Sequence, residues 1–182
     1  MPFFSAAKAA ATPFALILSL GLAGAAAAQL PPPPPAAIWS ETSMPWSTMP
    51  TGDPVGPLPA SVRIAPAAYA YSARSERIDF FGKNQPAIIR LTVQIQQGSV
   101  GILLVSPDGS TQLSKEAALP AAPTDVEVYF RVRPATPPSL IVMRNYNAPG
   151  QAGLVQLKSV EFIREGDLSN EELSSIVKKG LY

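Results

Sequence analysis

Apolar and polar residues alternate through the second half of the chain. Ile89, Leu91, Val93 and Ile95 are separated by Arg90, Thr92, Gln94 and Gln96. A period of two predicts a half-buried strand, because successive side chains point to opposite faces. Val126, Val128, Phe130 and Val132 repeat the pattern against Glu127, Tyr129, Arg131 and Arg133. Val100–Val105 is an apolar run short enough for a fully buried strand. Gln97-Gly98 and Pro107-Asp108-Gly109-Ser110 carry turn residues, and Thr111–Ser114 is expected to pair back as a short strand. Two more strands are expected at Ser139–Asn145 and Leu154–Ile163, and shorter ones upstream at Val62–Ile64, Ala68–Ser72 and Arg77–Phe81. Seven or eight short strands punctuated by turns predict an all-β fold. The expected architecture is an antiparallel β-sandwich, jelly-roll or immunoglobulin-like.

One helix is expected, at the end. Ser169-Asn170-Glu171-Glu172 matches a capping box, in which the serine hydroxyl and the Glu172 carboxylate each satisfy an orphan N–H. Leu168 and Leu173 occupy the staple positions, Lys178 and Lys179 suit the negative end of the helix, and Gly180 closes it. A helix this short is unstable alone, so its Leu173, Ile176 and Val177 stripe docks on its own domain or on a partner.

The beginning of the chain obeys a different pattern. Phe14–Ala28 is apolar or small throughout, preceded by a single charged side chain, Lys8. The stretch is shorter than the roughly 20 residues a spanning helix needs. Ala26 and Ala28 fit the positions a signal peptidase reads. Residues 1–28 are therefore expected to be a cleaved secretory signal, with Gln29 the new amino terminus; the alternative is an uncleaved membrane anchor. Eleven of the 21 prolines fall in residues 31–66, five of them consecutive at Pro31–Pro35. Such a run favours a stiff polyproline II spacer. The expected order is signal 1–28, Pro-rich tether 29–61, β-sandwich 62–163 and C-terminal docking helix 164–182. Trp39 and Trp46 either form an aromatic ligand surface or pack the leading segment onto the domain.

Composition narrows the function. The chain has 182 residues, 14 Lys+Arg, 13 Asp+Glu, no His and no Cys. Loss of the signal removes Lys8 and leaves a neutral chain, which argues against nucleic acid as a partner. Without His or Cys, no zinc, haem, thiol or Ser-His-Asp site can be built from those residues. Glycine-rich phosphate loops are absent. Ser-x-x-Lys occurs at Ser5–Lys8 and Ser175–Lys178, in both cases without companion motifs. Asp108 reads as a calcium ligand or, more simply, a turn residue. No enzyme activity, cofactor or metal is expected.

What remains is a binding surface. Arg144, Asn145, Tyr146 and Asn147 leave a strand and enter a loop together, supplying one aromatic ring and several amide and guanidinium groups. That combination suits a carbohydrate, whose apolar face stacks on a ring while its hydroxyls bond polar side chains. Tyr129, Arg131 and Arg133 on one strand, and Tyr69 and Tyr71 on another, are further groupings.

Ala68-Tyr69-Ala70-Tyr71-Ser72-Ala73, Gly98-Ser99-Val100-Gly101-Ile102, Ser106-Pro107-Asp108-Gly109-Ser110 and Ile141-Val142-Met143-Arg144-Asn145 together resemble a jelly-roll module found in bacterial FkbM-type methyltransferase proteins. The resemblance spans residues 62–163. It implies a carbohydrate-binding-like sandwich, galactose-binding-like in form and without catalysis of its own. No methyltransferase domain accompanies it here, and no binding residue carries over. The combined expectation is a secreted or periplasmic, non-catalytic module for carbohydrate or cell-envelope glycan. The alternative is an envelope protein-interaction or structural module, acting through the helix or the tether. A membrane enters only if the signal is retained.

Overall fold

The structure is a computed structural model, describing residues 44–78, 86–133 and 135–182, together with the backbone of residues 39–41. The expected signal at 1–28 and Pro31–Pro35 lie outside the described residues. Eleven strands are present among the described residues: β1 (Trp39–Glu41), β2 (Trp46–Thr48), β3 (Pro54–Val55), β4 (Ala60–Ile64), β5 (Tyr71–Ser75), β6 (Ala87–Gln97), β7 (Ser99–Val105), β8 (Ala117–Pro120), β9 (Val126–Val132), β10 (Leu140–Asn145) and β11 (Gly153–Arg164). A short 3-10 turn, Glu165–Asp167, leads into helix α1 (Asn170–Lys179).

The strands form two antiparallel sheets. One runs β1-β11-β6-β9, with β4 also paired to β11; the other runs β3-β2-β5-β10-β7-β8. Strand pairing is nested: β7 with β8, β6 with β9, β5 with β10, β4 with β11. The chain is thus one long hairpin rolled so that successive strands fall in alternate sheets, which is the jelly roll. The immunoglobulin-like alternative is excluded by that order.

Alternation explains the core. Leu91, Val93 and Ile95 of β6 face Val128 and Phe130 of β9, Val155 and Phe162 of β11, and Ile102, Ile141 and Met143 of the opposite sheet. In β11 the period of two breaks between Leu157 and Ser159, where the register shifts. That bulge keeps Val160 and Phe162 pointing inward. Gly98 permits the sharp switch from β6 to β7: its φ is +75°, and a Cβ there would come within 2.7 Å of the Asn147 amide.

Three local expectations change. Thr111–Ser114 is not a strand; Gln112 makes one bridge to Val105, and the Ser114 hydroxyl accepts from the Leu104 N–H in place of a ladder carbonyl. The partner strand lies later, at β8. Ala68–Ala70 is loop, because Tyr69 adopts φ +57°, and the strand starts at Tyr71. Within Arg77–Phe81 the described residues contribute a single bridge, Ile78 to Ser139. The sheets also begin earlier than the proline count suggests: β2, β3 and β4 draw on residues 46–64, and Met44, Trp46 and Leu58 are buried in the core. Trp46 therefore packs rather than presenting a ligand surface; the Trp39 side chain lies outside the described residues.

Helix α1 docks on its own domain. Ile176, Leu173 and Leu168 cover Ile88 and Tyr129 on the outer face of the first sheet. The capping box forms as the sequence predicts, with Glu172 N–H on the Ser169 hydroxyl and Ser169 N–H on the Glu172 carboxylate. Beyond the helix, Leu181 and Tyr182 run parallel to β9 and bond its backbone at Tyr129 and Arg131. The free edge of that strand is thereby covered.

Candidate functional site

The four candidate residues divide into two that present themselves and two that brace. On β10, Ile141 and Met143 point into the core, which sends Arg144 outward and Asn145 inward. Asn145 is 0 % exposed, so it meets no ligand. Its amide nitrogen donates to the Gln151 carbonyl at 3.0 Å, and its oxygen accepts from the backbone and side-chain nitrogens of Asn147, each at 2.8 Å. Its own backbone bonds Ala70 and Tyr69. Asn147 in turn clamps Ser99, accepting from its N–H at 2.5 Å and donating to its carbonyl at 3.0 Å. The two asparagines therefore fasten the loop after β10 to the loop before β5 and to the start of β7. A buried amide with every partner satisfied holds geometry and is costly to remove.

Arg144 and Tyr146 stand on this frame. The Arg144 guanidinium bonds both oxygens of Glu116, at 2.6 and 2.5 Å. The hydrogen bond to Glu116 is the main reason its pKa is raised above the usual arginine value, working against desolvation. Room for Glu116 comes from Gly101, the register partner of Arg144 on β7. A Cβ at 101 would sit 1.8 Å from a Glu116 carboxylate oxygen. Above the ion pair, Arg144 lies 5.3 Å from the centroid of the Tyr69 ring. Tyr69 meets Tyr146 edge to face, with centroids 5.9 Å apart and planes at 89°. Both rings face solvent, Tyr69 at 61 % and Tyr146 at 44 % exposure.

Glu116, Arg144, Tyr69 and Tyr146 thus form one continuous chain of contacts ending in two open rings. Sequence reading had Tyr69 in a different grouping and missed Glu116. The signal for Glu116 was Gly101 itself, since a glycine inside a strand marks close approach by another group. Tyr69 holds its left-handed backbone although it is not glycine, which costs roughly 1–2 kcal/mol and is the sort of strain that gathers at functional positions.

The other candidates have structural duties. Tyr129 is buried beneath α1 and donates its hydroxyl to Glu127, and Arg131 bonds Glu165. Asp108 accepts from the Ser106 hydroxyl and from both the N–H and the hydroxyl of Ser110, which hold its pKa down to about 2. That is a locked turn. Among the described residues, no group of three or more acidic side chains comes together as a metal site.

Fold and surface together define a jelly-roll β-sandwich carrying an exposed aromatic–guanidinium platform. No protein-family model and no curated protein matches the chain. Among solved structures it is similar to a carbohydrate-binding module, CBM36, in complex with calcium and xylotriose: 13 % identity, TM-score 0.38, covering 68 % of this chain and 97 % of that one. Strand order, rather than this distant likeness, assigns the fold.

Proposed function

We propose that the chain is an exported, non-catalytic binding module that holds glycan on the Tyr69–Tyr146–Arg144 platform. One observation carries the reading: two solvent-facing tyrosine rings are fixed in mutual contact by a bidentate ion pair and two braced asparagines. A rigid aromatic surface offers the apolar face of a sugar a partner at small entropic cost. Phenol hydroxyls and the guanidinium supply bonds to sugar hydroxyls. The resemblance to the module of FkbM-type proteins supports the same class of ligand. Residues 1–28 support export to the periplasm or the outside, and the exported chain should begin at Gln29; a start at Met1 would instead identify an anchor. The rival reading is an envelope interaction module acting through α1 or the Pro-rich tether; the helix buries Ile176 on its own sheet, and Pro31–Pro35 lie outside the described residues.

The test is a polysaccharide pull-down and glycan array with the purified chain, alongside Tyr146→Ala and Tyr69→Ala. Saturable binding to one sugar class, lost in both variants while circular dichroism is unchanged, is the expected result. Binding retained in both variants would remove this platform as the site.

A further inference from the structure

The outer face of the second sheet continues beyond the platform. Leu103, Val105, Leu140 and Val142 form a small apolar cluster there, separate from the main core, with Tyr71 packed against it. An open cleft of about 130 Å³ lies over the cluster, between Met49 and the Pro107–Gly109 turn. Tyr71 belongs to both regions. It is the register partner of Arg144 on β10 and also lines the cleft.

We infer that this cleft is a second subsite of the same surface, and that the ligand is a neutral glycan chain gripped along its length rather than by one end. The inference rests on the glycan reading above. Arg144, Val142 and Leu140 are successive outward positions of β10, so they mark a track of about 13 Å at roughly 3.3 Å per residue. A single sugar on the tyrosine pair leaves most of that track uncovered. The cleft repeats the chemistry of the platform, since an aromatic side chain (Tyr71), apolar ones (Val142 and Leu140) and charged ones (Arg74 and Asp108) all line it. Arg74 is exposed on β5 opposite Val142. Asp108 also lines the cleft, its carboxylate held in the turn by Ser106 and Ser110. Charge selects the class. Glu116 neutralises Arg144 at one end, and the cleft at the other end is lined by one cation, Arg74, and one anion, Asp108. The track therefore has no net positive charge to attract an acidic polysaccharide.

Calorimetric titration of the full chain tests this, using neutral gluco-, xylo-, manno- and galacto-oligosaccharides from monosaccharide upward, with polygalacturonate as the acidic control. Affinity should rise at least tenfold from monosaccharide to trisaccharide in one neutral series. Arg74→Ala, at an exposed position whose side-chain hydrogen bond goes to the Ser47 hydroxyl, should abolish that rise and keep the monosaccharide affinity, with circular dichroism unchanged. Flat affinity with length, with Arg74→Ala silent and Tyr146→Ala inactive, would overturn the second subsite and leave the platform standing. Preference for polygalacturonate would overturn the neutral class. Failure of the folded chain to bind any neutral probe or polygalacturonate would overturn both the inference and the reading beneath it.

Discussion

The two outer faces of the sandwich carry the same kinds of residue and treat them in opposite ways. On the first sheet, Tyr129 is sealed under α1, Arg90 is buried against Glu161, and Glu127 accepts from both Lys179 and the Tyr129 hydroxyl. On the second, Arg144 is likewise tied to a glutamate, yet the tyrosines beside it remain in water. The difference is the cover. Residues 168–182 return across one face and close it, and nothing among the described residues does the same over Tyr69 and Tyr146. A Tyr–Arg–Glu constellation is thus cement on one side and an exposed surface on the other.

The comparison predicts that substitutions on the covered face cost stability and those on the open face cost binding. The largest loss is expected for Glu161→Ala, which leaves the Arg90 guanidinium buried without its partner. Breaking such a pair costs about 3 kcal/mol, to be read from urea denaturation. Replacing both residues with apolar ones should recover most of that loss, because the unpaired charge disappears as well.

Ile176→Ala removes the one fully buried side chain of α1 and should cost about 2 kcal/mol. Amide exchange should accelerate along 168–182 and leave β6 and β10 protected, since Ile176 packs the helix against Ile88 and Tyr129. Equal acceleration in all three would show that helix and sandwich unfold as one unit.

Smaller still is a pH effect on the helix. Burial favours the neutral form of Glu127, but hydrogen bonds from Lys179 and Tyr129 outweigh it and hold the carboxyl below its ordinary 4.5. Its contribution is present above that ordinary value and fades as pH falls through the depressed one. Lys179 is shifted the other way, chiefly by its bond to Glu127, above its ordinary 10.5. That contribution is complete below 10.5 and fades as pH rises through the raised value. Helix docking should therefore be flat across the neutral range and weaken at both extremes. Lys179→Met should shrink the acid limb in near-ultraviolet circular dichroism without abolishing it, because the Tyr129 hydroxyl still bonds Glu127.

The smallest change in stability belongs to the open face. Tyr69→Gly relieves a left-handed backbone worth about 1 kcal/mol and forfeits ring and guanidinium contacts of about the same size. Thermal unfolding should shift little while glycan binding is lost. A large drop in melting temperature would place Tyr69 among the structural residues, with Tyr129.

The strands were legible where the period of two was clean. β6, β7, β9, β10 and β11 fall where the alternation of residues 89–163 places them, and α1 starts at the serine that its capping box marks. Legibility failed where a side chain or a backbone angle replaced a regular ladder. Ser114 took a strand's hydrogen bond at one place, and Tyr69 turned left-handed at another. β8, Ala-Ala-Leu-Pro, has neither alternation nor β-branched residues and ends in proline, so it did not stand out. Within the site, Arg144 and Tyr146 were visible as a cluster because they are neighbours in the chain. Asn145 and Asn147 looked equivalent to them until burial separated their roles.

Local sequence by itself determined the five longest strands, the helix cap and the all-β class, since each depends on residues a few positions apart. Only the tertiary structure decided which tyrosine and which arginine meet solvent. Tyr129 lies where residues 168–182 come back to pack, and Tyr146 does not. Glu116 joins Arg144 from 28 positions away, through space that a glycine on a third strand leaves open. Such contacts are set by how the hairpin rolls, which no window of neighbouring residues records.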